Sequence, residues 1–454
     1  MIRLVVAELR HDLRLWIGSA VIAGAAAAIL AIMAGIVSSA LRLAGAGRIS
    51  DADLEGVIGF TATPVLLSGI TMVIVVGGAA ELSVAAQRQD HARWQLAGMT
   101  PRRVRRTILG LLAVLAVAAA VAGIAIGAAL TQPVFGWLTS RVPTLQGARA
   151  SQDPLSAASV IVLITALMLL GGRRAARQAS RVPPIAALRT PEDPRIRMTV
   201  VRWIMAASGG AAAVALGVGM QDLPLTGIGQ NGLFVGLAMM VALAAIAPLA
   251  VRPVLRAWTA LIPARGRPAW YLARHACAHR ITQSTSAVVP LTLGIVLVGS
   301  ATSVTDMFAS AQASLSGTPA AAPDREADLL LFGAPLVLTL IASAVSVFMT
   351  GRARDREFAL VQAAGATPRL VRRAAALEAV VYAGTAFLLG LVIVTVASVV
   401  VWDALRRTAP DTQLSVGAVP MLALLGAGLL GLLLATLGPT LVALRTSIPR
   451  AVSA

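Results

Sequence analysis

Long apolar runs alternate with short Arg-rich segments along the whole chain. The runs fall at 16–41, 61–80, 107–130, 155–171, 203–220, 233–251, 287–303, 329–349, 375–401 and 417–444, and each approaches or exceeds the roughly 20 residues that a helix needs to cross a bilayer core. The expected fold is therefore all-α: a polytopic membrane protein of ten transmembrane helices arranged 4+2+4, with both termini cytoplasmic. Before the first run, Ile2, Val5, Val6, Leu9 and Leu13 share one helical face while Arg3, Arg10 and Arg14 stay polar, the pattern of a helix lying flat on the inner leaflet. Trp270 to Arg280 plays the same part ahead of the seventh run. The first run lacks a small-residue cleavage site followed by a soluble region, so a retained helix is expected there.

One stretch between two runs occurs twice. Gln87 to Arg106 and Arg354 to Arg373 align without gaps at a constant offset of 267, matching Gln95 with Gln362, Gly98 with Gly365, and Thr100-Pro101 with Thr367-Pro368. Each copy extends an apolar helix, reaches a Gly suited to the left-handed conformation at a helix C-terminus, and restarts at Thr-Pro. Thr caps the new helix, and Pro fits its first turn because the N–H it lacks would be unpaired there. The expected product is a rigid elbow, with Arg102, Arg103, Arg105 and Arg106, and their counterparts Arg369, Arg372 and Arg373, at the headgroup level.

The elbows divide the chain into two four-helix repeats, 1–190 and 268–454, joined by a two-helix hairpin and linker at 191–267. Charge supports this topology. Arg clusters occupy 102–106, 173–202, 252–280 and 352–373, whereas Asp51, Asp53, Glu55, Asp222, Asp306, Asp324, Glu326, Asp328 and Asp411 mark the intervening outer loops. Those loops, 42–60 and 305–328 among them, are short. Mean hydropathy of +0.83 and 57% hydrophobic content exclude an ordinary soluble protein. The net charge of +18, with all 38 basic residues Arg, flanks apolar runs and does not form a polar face with aromatic platforms, so nucleic acid is not the expected partner. A single cysteine, Cys277, excludes an intrachain disulfide framework.

Candidate chemistry is sparse. Without Lys the chain cannot carry a P-loop, so any ATP drive must come from another polypeptide. His275 and His279 lie four apart around Cys277, a spacing that can hold zinc, but no third ligand is near and no metal is expected. Glu378, early in a span, is expected to pair with Arg373 or Arg354. Gly123-Ile-Ala-Ile-Gly127 is a small-xxx-small pattern of low specificity, and Pro64, Pro248, Pro290, Pro335 and Pro439 fall in or near spans. No catalytic set stands out.

The segment Glu357-Phe-Ala-Leu-Val-Gln-Ala-Ala-Gly-Ala-Thr367, followed by Pro368 and a basic apolar helix, resembles the FtsX-like permease domain of ABC transporters, a family that includes MacB and bacitracin-type export permeases. The first copy is looser, with Asp90 for the acid, His91 and Arg93 at apolar positions, and Met99 before Thr100. The resemblance implies a multi-pass permease of the bacterial cytoplasmic membrane and two repeats forming a pseudo-dimer. It also implies a separate cytoplasmic ATPase, in two copies, that binds ATP and Mg and docks beneath the elbows. The residues expected to couple it are Asp90, Gln95, Gly98, Thr100, Pro101 and Arg102 in the first elbow, and Glu357, Gln362, Gly365, Thr367, Pro368 and Arg369 in the second. The cargo would be amphiphilic: an antimicrobial peptide, a drug or a membrane lipid. A signalling permease acting on an external partner would need more outer surface than these loops supply, and an ion-driven secondary transporter would need mid-membrane acids that the spans nearly lack.

Overall fold

A computed structural model describes residues 13–47, 51–139, 153–180, 198–317, 325–349, 351 and 360–443. Among these the secondary structure is helical, without strands, and ten helices are long and apolar enough to cross a membrane. This is what lipid demands, since a helix satisfies its own backbone groups where no water can. The chain forms two compact units, Met1–Glu192 and Asp193–Ala454.

The first unit contains α1 (Leu13–Gly45), α2 (Asp51–Ala86), the short α3 (Arg88–Leu96), α4 (Pro101–Thr139) and α5 (Pro154–Ala179). The second contains α6 (Val200–Gly219), α7 (Leu225–Ala260), α8 (Pro268–His279), α9 (Ile281–Ser316), α10 (Arg325–Met349), α11 (Pro368–Thr408) and α12 (Ala418–Ala443). Within each unit the four long helices of the repeat pack in one pattern. The first lies most extensively on the third (α1 on α4, α9 on α11), and also on the second and fourth. The second and third each pack on the fourth.

Small residues make the first-to-third contact close. A Cβ on Gly123 would collide with the Gly24 carbonyl oxygen and stand 2.8 Å from Ala27 Cβ, and one on Gly127 would stand 2.6 Å from the Ala28 oxygen. The Gly123–Gly127 pattern is thus the seam of α4 on α1. In the second unit Gly390 meets Ile295 at 2.6 Å and Gly299 meets Val394 at 2.7 Å by the same measure. There the hairpin adds a further layer, with α7 packed on both α9 and α11 and α6 packed chiefly on α7. As a result 89% of the apolar stretch of α9 is buried, against 50% for α1.

The helices run well past their apolar cores, which corrects several sequence boundaries. The expected loop 42–60 is helical from Asp51, and the expected loop 305–328 shrinks to the link between Ser316 and Arg325. Flanks rich in Ala, Ser and Gln do not break a helix, so apolarity marks the membrane-crossing part and not the helix end. Gly317, at φ +65°, ends α9, its N–H donating to the Ala313 oxygen at 3.0 Å. The basic linker 252–280 is likewise mostly helical, as α7 continues through Pro253 to Ala260. In α8, Trp270, Ala273 and Cys277 are buried, and the helix packs chiefly on α11. It is therefore anchored by protein on one side. Trp258 ties this region together, donating to Thr385 Oγ1 at 3.0 Å and meeting Trp270 edge-on at 6.0 Å. Pro64, Pro248, Pro290, Pro335 and Pro439 all lie inside helices. The amphipathic segment expected before Leu13 falls outside the described residues, apart from its last positions.

A one-atom test follows from the seam. Gly123→Ala should lower the melting temperature of the detergent-purified protein, by about 1–3 kcal/mol of overpacking, because both neighbours are backbone or Cβ atoms that cannot rotate away. Gly110→Ala, at a helical site with nothing within 4 Å, should be neutral or slightly stabilising.

Candidate functional site

Each elbow is built from the same hydrogen bonds. In the first, α2 breaks at Gln87 and α3 carries the chain to Gly98, whose φ is +91°. Gly98 N–H donates to the Gln95 oxygen and Met99 N–H to the Trp94 oxygen, both at 3.0 Å. In the second, Gly365 has φ +96°, its N–H donates to the Gln362 oxygen at 2.9 Å, and Ala366 N–H donates to the Val361 oxygen at 3.1 Å. This pair of bonds is the Schellman motif, which satisfies carbonyls orphaned at a helix end and requires a residue tolerant of positive φ. Both glycines have open space around them, so backbone conformation and not crowding dictates glycine there.

The restart differs between copies. Thr367 Oγ1 accepts from Leu370 N–H at 3.4 Å, a long but real cap at the head of α11. Thr100 supplies only its backbone oxygen, which accepts from Val104 N–H at 3.0 Å, so the expected hydroxyl cap is absent at the first elbow. Pro101 and Pro368 occupy the first position of their helices, and Arg102 and Arg369 are exposed beside them. Asp90 is half-buried and bonds Arg93 at 2.9 Å on the surface of α3, whereas Glu357 and Arg354 lie outside the described residues. A surface pair of this kind contributes little stability.

Two features of the first elbow were not legible from its motif. Gln95 Nε2 donates to the Ala179 oxygen at 3.3 Å, tying α3 to the C-terminal end of α5. His91 is 1% exposed, edge-on to Trp94 at 5.1 Å, and directly above Gln87, which is fully buried. Neither side chain has a hydrogen-bond partner among the described residues. Burial lowers the His91 pKa from 6.5 to about 4. The gapless repeat carried a signal for this, since Phe358 stands where His91 does and marks the position as apolar.

Other candidates disperse. Cys277 is buried while His275 and His279 are exposed on the opposite side of α8, and no group of three metal-binding side chains exists among the described residues. Glu378 is 1% exposed; of its two expected partners, Arg373 is exposed and not paired with it, and Arg354 lies outside the described residues.

Because neutral His91 is required by burial, the unfolded chain binds more protons than the folded one between about pH 6.5 and about pH 4. Stability should therefore be complete above that window and fall as pH drops through it, by up to about 3 kcal/mol at the bottom. Melting temperatures at about pH 7 and about pH 5 should show the loss, and His91→Phe should flatten it.

The family described as FtsX-like permease C-terminal matches the chain twice, over residues 65–184 and 329–448. Each match takes in one elbow and its flanking helices, from within α2 to beyond α5 and from within α10 to beyond α12. No curated protein matches the chain. Two matches that together cover more than half of the sequence, one on each of two units with the same helix packing, show that this chain belongs to the FtsX-like permease family: multi-pass membrane permeases of ABC-type systems that generally work with a cytoplasmic ATPase.

Proposed function

We propose that the chain converts ATP-driven movement of a separate ATPase, present in two copies, into export or extraction of an amphiphilic substrate such as an antimicrobial peptide, drug or lipid. The observation that carries this is the pair of elbows. Each is a hydrogen-bonded turn joined without slack to the head of α4 or α11. At 39 and 41 residues these helices are roughly 60 Å long, about twice the hydrocarbon thickness. A push at the elbow therefore moves a rigid rod, and that rod is seated on the first helix of its repeat along a seam of small residues. Asp90, Gln95, Gly98, Thr100, Pro101 and Arg102 would receive the stroke in the first unit. Glu357, Gln362, Gly365, Thr367, Pro368 and Arg369 would do so in the second. ATP and Mg belong to the ATPase in this scheme, and the permease contributes no chemistry. The short links at the far ends of the helices favour a cargo taken from the bilayer over one captured by a large external domain.

Reconstituted permease and ATPase test the scheme. Gly98→Val and Gly365→Val force a β-branched residue into positive φ, at a cost of about 1–2 kcal/mol or more each, without creating a clash. Both should uncouple substrate transport from ATP hydrolysis. Gly98→Asn and Gly365→Asn, which tolerate that conformation, should retain most of it. Full transport by the Val double variant, with ATPase binding intact, would show that the elbows are not couplers.

A further inference from the structure

Beside the second elbow the molecule has a groove with two chemically different walls. Arg369, Arg372, Arg373 and Ala376 follow one another on a single face of α11, at the i, i+3, i+4, i+7 spacing of a helical stripe. Leu437 and Leu441, one turn apart on α12, line the other wall, and the six residues enclose an open groove of about 480 Å³. Leu437 packs against Val371 and Ala375, which fixes the floor. All three arginines are exposed, and none forms an ion pair with a carboxylate among the described residues. Glu378, the nearest acid further along α11, is buried on a different face of the helix.

The place matters as much as the lining. Two membrane spans, Pro368–Thr408 and Ala418–Leu441, begin and end at this groove. Ala376 and Leu437 sit on its membrane side, and the arginines sit further out. A soluble anion would use the guanidinium groups and leave the leucine wall wet. A neutral lipid chain would cover the leucines and leave three positive charges uncompensated. A molecule with a phosphate head and an acyl tail satisfies both walls at once.

We propose that this groove binds an anionic phospholipid from the leaflet on the elbow side, its phosphate on Arg372 and Arg373 and an acyl chain along Leu437 and Leu441. The site belongs to the second repeat. α5 and α12 are equally long, and counted from their first residues, Pro154 and Ala418, Leu437 and Leu441 fall at the positions of Arg173 and Arg177, both exposed, so the corresponding wall in the first repeat is charged. A lipid held there would brace the head of α11 against α12 and give the second elbow a stiffness that depends on membrane composition.

Native mass spectrometry of the full-length protein, purified with phosphatidylglycerol and phosphatidylcholine in equal amounts, tests this. The wild type should retain phosphatidylglycerol preferentially. Arg372→Gln with Arg373→Gln should reduce that retention by about fivefold per arginine removed, with melting temperature confirming that the variant folds. Leu441→Arg, which installs the first-repeat residue, separates a lipid from a free anion. It adds charge but removes apolar wall, so retention should fall. Unchanged or increased retention in Leu441→Arg, or displacement of the lipid by inorganic phosphate, would assign the arginines to simple anion binding and overturn the proposal. Loss of ATPase binding in the double Gln variant with phosphatidylglycerol retention intact would give the groove to the ATPase and overturn it equally.

Discussion

In a bilayer, helices gain nothing by hiding apolar side chains from one another, because the lipid is as apolar as leucine. What holds such a bundle together is close packing, and here it is most extensive where the third helix of each repeat crosses the first. Gly123 and Gly127 let α4 approach the α1 backbone at Gly24 and Ala28, and in the second unit Gly390 and Gly299 make room for the Ile295 and Val394 side chains of the facing helix. The second and fourth helices are arranged around this pair in both units. The proposed coupling by the elbow would depend on the same seam, since a rod moves its neighbour only if the two are seated without voids.

The two elbows share a backbone and differ in their side-chain supports. Both glycines adopt positive φ and both turns close with the same two hydrogen bonds. The first is then tethered to α5 through Gln95 and sunk into its unit through Gln87 and His91. The second has a side-chain cap at Thr367 and the arginine-lined groove beside α12. Duplication thus preserved the turn and let its surroundings diverge. Under the proposed coupling, that divergence would let the two halves respond unequally to the same stroke.

Much of this was legible in the sequence. Ten apolar runs announced ten helices because a membrane core leaves the backbone few other options. The turn was legible because positive φ and a restarting helix demand Gly and Thr-Pro at fixed spacing. Helix ends were not, since Asp51 to Phe60 and Asp306 to Ser316 are polar enough to resemble loops yet contain nothing that stops a helix. The burial of His91 escaped a reading by residue type and was signalled only by its repeat counterpart Phe358, while the Gln95–Ala179 bond, which joins residues 84 positions apart, emerged only from the packed chain. The groove was beyond reach for the same reason, because Leu437 and Arg372 are ordinary in their own segments and become a site only when α11 and α12 are set side by side.

The hairpin laid over α9 bears on how the protein is made. Helices α6 and α7 precede α9 in the chain, so they leave the ribosome first. When α9 follows, with Ser284, Thr292, Ser300, Thr302 and Ser303 along its length, part of its cover already waits in the bilayer. The most hydroxyl-rich helix among the described residues of the second unit is thereby spared a long exposure to lipid during biogenesis, whereas α1 precedes in the chain every helix it packs on.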